Sequence, residues 1–151
     1  MNNKKECLKV ISFYRFVSIN NKSQKKSILD SLFSKTNIKG TILLADEGIN
    51  GSISGFESEI FKSLKQLRDI IKINKINLKI NDTNFIPFNK MKIRLKKEIV
   101  SLGKKGINVN KLTGEFIHPS EWNNILSNKE IKLIDVRNPY EIKIGKFSNA
   151  I

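Results

Sequence analysis

Four cations that alternate with apolar side chains in KMKIRLK, residues 90–96, are the side chains of this chain best placed for chemistry. Alternation with a period of two is typical of a β-strand with one apolar face. Same-face residues of a strand lie about 6.6 to 7 Å apart, close to the spacing of successive phosphates in an extended nucleic acid. The pattern therefore has two interpretations, an edge strand kept soluble by lysine and a surface that binds phosphates. The candidate phosphate-binding residues are Lys90, Lys92, Arg94, Lys96 and the adjacent Lys97.

A second candidate lies in GTILLADEGINGSISG, residues 40–55, where an apolar run gives way to a polar loop and then resumes. This pattern predicts two strands joined by a shaped turn. The loop contains Asp46 and Glu47, and carboxylates are poor ligands for phosphate. We therefore assign the loop to shaping the domain, or to contacting bases or a second domain. The motif-loop residues are Glu47, Gly48, Asn50 and Gly51.

Cysteine and histidine, the commonest nucleophile and base, each occur once. One thiolate cannot by itself form a thiolate metal site, and Cys7 is expected to be a partly buried thiol without a catalytic role. His118 precedes Pro119 and is expected to cap a helix or to lie on the surface. The sequence therefore identifies no catalytic residue, no metal site and no cofactor.

The net charge of the chain indicates which class of molecule it binds. The 151 residues include 28 basic and 14 acidic side chains, which gives a formal charge of +14. Residues 1–110 contribute +13 of this charge and residues 111–151 only +1. Clustered cations favour a nucleic acid, because binding it releases counterions. Since 24 of the basic residues are lysine, in a chain also crowded with asparagine and isoleucine, AT-rich coding bias is an alternative explanation.

Hydropathy gives no indication of a membrane protein. No apolar run approaches the roughly 18 residues that a membrane-spanning helix needs. The first ten residues, MNNKKECLKV, lack the apolar segment of a secretory signal. We expect a cytoplasmic protein without a membrane partner, and the sequence leaves its oligomeric state open.

The predicted elements define an α+β fold around these candidates. Residues 8–17 are predicted to form a strand, and Ser23 to cap a helix that buries Ile28, Leu29, Leu32 and Phe33. Apolar residues at helical spacing, Phe61 among them, predict a helix from about Glu57 to Ile71. Residues 77–82 are predicted to form another strand. The order of strand, helix, strand, strand, helix, strand matches the ferredoxin-like arrangement, an antiparallel sheet with two helices on one face.

A change of composition predicts a second domain. We place a basic first domain at residues 1–105, a glycine-containing linker at 106–113 and a second segment at 114–151. Within that segment Pro119 is expected in the first turn of a helix to about Leu126, with Trp122 as a core anchor. Residues 131–136 are predicted to form a buried strand, and residues 139–143 another helical turn.

Three segments together resemble a known family, the bacterial rhodanese-related proteins that hydroxylate the wobble uridine of tRNA. They are GTILLADEGINGSISG at 40–55, FNKMKIRLKKEIVSLG at 88–103 and EWNNILSNKEIKLIDVRNPYEIKIGKFSNAI at 121–151. The resemblance implies an acylphosphatase-like first domain, followed by the start of an α/β rhodanese domain in which Asp135, Arg137 and Glu141 match the pattern. It also implies tRNA, bound at the anticodon region, as the partner and molecular oxygen as a co-substrate.

The same resemblance limits what this chain is expected to do alone. A rhodanese domain takes roughly 100 or more residues, and 38 residues follow Thr113. We therefore expect the chain to stop inside that domain, to lack the family's reactive cysteine loop, and to be inactive by itself in the oxygen-dependent formation of 5-hydroxyuridine. Two alternatives stay open for the parent protein: sulfurtransferase activity, and a non-catalytic nucleic-acid-binding module.

Overall fold

The computed structural model describes residues 7–100 and 114–151. The chain divides into two compact units, residues 1–110 and 111–151. The predicted linker at 106–113 lies outside the described residues, so the boundaries of the two domains stay a prediction.

The first unit is an α+β domain whose first six elements follow the predicted order. The strands and helices are β1 (Leu8–Phe16), α1 (Lys22–Phe33), β2 (Lys39–Ala45), β3 (Gly48–Phe56), α2 (Glu57–Ile71), β4 (Asn77–Thr83) and β5 (Met91–Leu95).

The five strands form one sheet in the order β4-β1-β3-β2-β5. The first four strands pair antiparallel, as the ferredoxin-like prediction requires. β5 joins at the edge, beside and parallel to β2, which makes the sheet mixed. The strand predicted at residues 90–96 is present as β5, and its edge position agrees with the first of the two interpretations of that pattern, an edge strand kept soluble by lysine. Its parallel partner is a feature that the sequence pattern did not reveal.

The core lies between one face of the sheet and the two helices. Alternate residues of the central strands are fully buried against apolar residues of α1 and α2, and burial of each such side chain contributes about 1.5 to 3 kcal/mol. We call the other side of the sheet the open face, because neither helix packs on it. The buried strand residues are Ile11, Phe13, Ile42, Leu44, Ile49, Ile53 and Ile93, and the helix residues packed on them include Leu29, Phe33, Ile60, Leu64 and Leu67.

The predicted start of α1 is wrong. The helix begins at Lys22, and its N-cap is Asn21 in the left-handed conformation, at φ 54° and ψ 42°. Asparagine tolerates that conformation better than most residues. The Lys22 ammonium also donates to the carboxylate of Asp46, at 2.7 Å, which fixes the first turn one residue before the predicted cap.

Two residues assigned to the buried helix faces are instead exposed. Ile28 of α1 is 46% exposed and Phe61 of α2 is 39% exposed. Each directly precedes or follows a fully buried residue, Leu29 or Ile60. Successive residues of an α-helix are separated by about 100° around its axis, so the neighbour of a fully buried residue is turned away from the centre of the core.

The second unit contains a 3₁₀ turn at Pro119–Glu121, α3 (Trp122–Leu126) and α4 (Pro139–Ile144). The expected capping role of His118 is confirmed, since its Nδ1 accepts a hydrogen bond from the Ser120 N–H at 3.4 Å. The Glu121 carboxylate completes a capping box by accepting the His118 N–H at 3.3 Å. The Trp122 ring stacks on Phe147, with centroids 5.4 Å apart, but Trp122 is half-buried and Phe147 is 53% exposed, so the pair does not lie in a buried core as predicted.

The predicted buried strand at residues 131–136 is wrong. The segment is irregular, and Ile134 and Val136 are 65% and 90% exposed. Its backbone makes two bonds to Ile151, which donates its N–H to the Leu133 carbonyl and accepts the Asp135 N–H. A buried parallel strand needs neighbouring strands and covered faces, and the described residues supply neither.

Candidate nucleic-acid-binding surface

The predicted phosphate-binding cations lie on and around β5. The register pairs Lys92 with Thr41 and Arg94 with Leu43, so both cations project on the open face while Ile93 between them is buried. Arg94 is exposed, and Lys92 is half-buried. Lys90 precedes the strand, Lys96 and Lys97 follow it, and all three are exposed. Among the described contacts none of these five cations forms an ion pair.

A polar row crosses the open face from one edge of the sheet to the other. The register aligns one residue from each strand, and the hydroxyl oxygens of Ser12 and Ser52 lie 3.0 Å apart, within hydrogen-bonding distance, at the middle of the row. A lysine stands at each end, at the outer edges of β4 and β5. In order, the row is Lys79, Ser12, Ser52, Thr41 and Lys92.

The strand positions that share this face carry no carboxylate within residues 7–100. The nearby acidic side chains are engaged elsewhere. Asp82 lies on the helix side of β4 and pairs with Lys9, and this hydrogen bond raises the pKa of Lys9. The charged strand residues of the open face are therefore all cations, namely Lys39, Lys79, Lys92 and Arg94.

The turn between β2 and β3 consists of Asp46 and Glu47 alone, and the other motif-loop residues, Gly48, Asn50 and Gly51, lie in β3 rather than in a loop. Two of the four residues hold the segment that follows β5. The Glu47 carboxylate accepts the Ile99 N–H at 2.7 Å, and the Asn50 side-chain amide donates to the Ile99 carbonyl at 3.0 Å. Ile99 is itself buried. These bonds join residues that are 49 and 52 positions apart in the sequence. The structure thus gives Glu47 and Asn50 a role in shaping the domain.

The two motif glycines lie where there is no room for a side chain. Gly48 has φ +156°, and a Cβ there would lie 2.2 Å from the Arg15 carbonyl oxygen and 3.0 Å from a methyl of Ile99. A Cβ on Gly51 would lie 2.8 Å from the Phe13 ring. Glycine is therefore required at both positions by close approach of backbone or core.

Replacing Glu47 with alanine is expected to release the segment around Ile99. The charged carboxylate is the acceptor for a part-buried N–H, and a hydrogen bond to a charged group is worth about 1.5 to 3 kcal/mol. We expect native-state hydrogen exchange of the Ile99 amide to accelerate about tenfold or more. Glu47→Gln retains an acceptor oxygen and serves as the control. Equal exchange rates in the wild type and Glu47→Ala would contradict this role.

The rhodanese-pattern residues of the second unit form two separate arrangements. The Arg137 guanidinium donates to both oxygens of the Asp135 carboxylate, at 2.9 and 2.7 Å, and also to the Gly145 carbonyl at 2.7 Å. These bonds lower the pKa of Asp135 to about 2. Glu141 instead accepts the backbone N–H of Asn138 and caps α4. Asp135 and Arg137 also line an apolar cavity of about 510 Å³ beside Trp122 and Phe147.

Cys7 is exposed, so the expectation of a partly buried thiol is wrong. The residue lies directly before β1, and its carbonyl accepts the Glu57 N–H at 3.0 Å, outside the apolar core. Over residues 7–100 and 114–151, no three His, Cys, Asp or Glu side chains come together as metal ligands would. No helix in this same part of the chain is long and apolar enough to cross a membrane.

Sequence reasoning missed the polar row. The alternation around Ser52 predicted a half-buried strand. No pattern in the sequence around Ser12 or Lys79 indicated that these residues belong to a binding surface. Their alignment depends on the register between β1, β3 and β4. Only the pairing of strands across the sheet could have identified them.

The comparison with protein families shows to which family this chain belongs. The model of the UPF0176 acylphosphatase like domain matches residues 8–99, from β1 to the Ile99 contact. The chain belongs to the UPF0176 family. The match covers the N-terminal domain of that family, and it agrees with the ferredoxin-like α+β fold of the first unit.

Solved structures resemble this UPF0176 domain in fold. BlrB, a BLUF protein in its dark state, is 15% identical with a TM-score of 0.52, over 62% of this chain and 76% of that protein. An acylphosphatase from Coxiella burnetii is 9% identical with a TM-score of 0.41, over 62% of this chain and 100% of the other. A bacterial light-regulated adenylyl cyclase is 17% identical with a TM-score of 0.48, over 64% of this chain and 30% of the other. At these identities the BlrB likeness concerns the fold alone.

Proposed function

We propose that the first domain of this UPF0176 protein binds tRNA through the open face of its sheet and the cations of β5. The observation that carries the proposal is the charge of that face, whose strand residues include four cations and no carboxylate. A surface of this kind attracts a polyanion and releases its counterions. The proposal includes a cytoplasmic location, where tRNA is modified.

The reaction proposed for the protein to which this domain belongs is oxygen-dependent 5-hydroxylation of the wobble uridine. The support for it is the resemblance of the three quoted segments to the rhodanese-related tRNA hydroxylases. Molecular oxygen is then the co-substrate. No described residue of this chain is assigned to the chemical step, and the task of the first domain is to hold the RNA.

The edge strand supplies the most specific contacts for phosphate. Arg94 presents a planar guanidinium that can grip a phosphate with two parallel hydrogen bonds, and Lys92 and Lys96 act as point charges. The two carboxylates of the acidic turn are engaged by other groups: Glu47 accepts the Ile99 N–H, and Asp46 pairs with the Lys22 ammonium at 2.7 Å. The Glu47 bond also holds the end of β5 in place.

Replacing Lys92, Arg94 and Lys96 together with alanine is expected to weaken tRNA binding by about tenfold or more. Each lost phosphate contact also reduces the salt dependence, so the slope of log K against log salt should fall in magnitude by about 2. Fluorescence anisotropy with labelled tRNA at several salt concentrations measures both quantities. The full chain of 151 residues is the protein to use.

A matched triple variant separates this proposal from coding bias. Lys25, Lys62 and Lys65 belong to α1 and α2, on the other side of the sheet, and their replacement removes the same charge. This control is expected to leave binding within about twofold of the wild type. An equal loss of affinity in the two triple variants would refute tRNA binding through Lys92, Arg94 and Lys96. Binding whose affinity does not change with salt concentration would refute it as well.

A further inference from the structure

We infer that the open face binds unpaired nucleotides, with one base stacked on Tyr14. This inference rests on the tRNA-binding function proposed above and specifies which structure of the RNA the domain recognises. It joins three observations: an exposed aromatic ring on a central strand, cations at both edges of the sheet, and hydroxyl groups between them.

Tyr14 lies on β1, the second strand of the sheet, and projects on the open face with 38% of its surface exposed. The register places Asn77 of β4 and Asn50 of β3 on either side of it. The ring of Phe16 meets the Tyr14 ring edge-on, with centroids 6.5 Å apart and planes at 72°. Such a contact is favourable and holds the Tyr14 ring in one orientation. Asn50 donates its side-chain amide to the Ile99 carbonyl, so the segment at Ile99 lies beside Tyr14 on this face, and the accessible part of the ring is its 38% exposed surface. An oriented and partly exposed ring is a platform on which a base can stack.

The polar row adjacent to Tyr14 supplies hydrogen-bonding groups. Ser12, Ser52 and Thr41 present hydroxyls that both donate and accept, and none of the three is fully buried. Hydroxyls of this kind can bond base edges or the ribose 2′-hydroxyl. Lys79 and Lys92 end the row at opposite edges. They stand four strand spacings apart, roughly 19 Å, so a phosphate backbone that crosses the sheet is neutralised at both ends.

The geometry favours unpaired RNA over a duplex. In an A-form helix the base faces are stacked on one another, and only phosphates, 2′-hydroxyls and base edges are accessible. A ring on the face of a sheet can therefore stack on an unpaired base, whereas in a duplex only the outer face of a terminal pair is open to it. Four-stranded sheets with exposed aromatic residues are known to stack two or three unpaired bases.

The test compares two RNA probes of known structure. A labelled nonamer of uridine, which does not pair with itself, and a labelled duplex of 12 base pairs whose two ends are closed by ethylene-glycol linkers are titrated with the full chain. Tyr14→Ala is expected to weaken binding of the nonamer about 5- to 100-fold, the loss typical of one stacked base, and to change binding of the duplex less than twofold. Tyr14→Phe retains a ring and is expected to bind the nonamer as the wild type does.

Two further variants test whether the loss of affinity comes from the lost apolar volume or from the loss of any exposed aromatic ring. Tyr14→Leu preserves apolar volume without a ring, so it should lose affinity for the nonamer as Tyr14→Ala does while remaining folded. Phe61→Ala removes an aromatic ring of nearly equal exposure, 39%, from α2 on the other side of the sheet, and should bind both probes as the wild type does.

The outcomes distinguish this inference from the proposed function. If Tyr14→Ala and Tyr14→Leu bind the nonamer normally while the Lys92, Arg94 and Lys96 variant loses tRNA, stacking is refuted and tRNA binding stands. Equal loss for nonamer and duplex likewise refutes stacking. If the wild-type chain binds neither tRNA nor either probe, the proposed function itself fails.

Discussion

Gly48→Ala is expected to reduce the free energy of unfolding of the first domain by about 3 kcal/mol. The residue has φ +156°, and its new methyl group would lie 2.2 Å from the Arg15 carbonyl oxygen. A side chain in a disfavoured backbone region costs roughly 1 to 3 kcal/mol, and a clash with backbone that cannot rotate away costs a similar amount. Urea denaturation followed by far-ultraviolet circular dichroism measures the loss.

Gly55→Ala is the matched control, because it lies in the same strand. Its Cβ would contact the Ile38 side chain at 3.2 Å, and no disfavoured φ is involved. A side-chain atom can shift by a few tenths of an ångström, so we expect a loss of at most about 1 kcal/mol. Similar losses at Gly48 and Gly55 would show that the turn does not depend on glycine at position 48.

Phe13→Ala is expected to cost about 4 kcal/mol, the usual loss when a buried phenylalanine leaves a cavity. Phe13 is 1% exposed and packs where Gly51 has no side chain. A typical domain is stable by only about 5 to 15 kcal/mol. The variant should therefore show a large fall in the urea midpoint and in the thermal midpoint.

Tyr14→Ala, at the next position of the same strand, should change stability by less than about 1 kcal/mol. Its side chain projects on the open face, so its removal leaves no core cavity. The contrast between these neighbours tests the assignment of the two faces of the sheet. Comparable losses at Phe13 and Tyr14 would mean that the open face is covered and is not a binding surface.

The local parts of the fold were predictable from sequence. The apolar spacing of residues 57–71 predicted α2 with its observed bounds, Glu57–Ile71. The glycine-containing turn predicted the hairpin of β2 and β3, and alternation predicted the strand β5, with an edge position as one of its two interpretations. In each case the information lies within about 15 neighbouring residues, where helix and strand periodicity differ clearly.

Features that depend on distant pairing were not predictable. The parallel partner of β5 lies about 50 residues away, and neither the Ile99 contact nor the polar row follows from any local pattern. Residues 131–136 have the composition of a buried strand, but composition cannot supply the neighbouring strands that would bury them. Four of the five cations of the candidate site were therefore found by their spacing and Lys97 by its adjacency, whereas the hydroxyls and Tyr14 were found only through the register.

The Ile99 contact also has a mechanical consequence. Ile99 donates its N–H to the Glu47 carboxylate and accepts the Asn50 side-chain amide at its carbonyl, so both hydrogen bonds involve the backbone of one residue. This residue lies four positions after the last residue of β5. Tension transmitted along the chain from residues beyond 100 therefore loads these two bonds and the buried Ile99 side chain before it reaches the hydrogen bonds between β5 and β2. A force applied to the second unit would therefore have to break these two hydrogen bonds before it could separate β5 from β2.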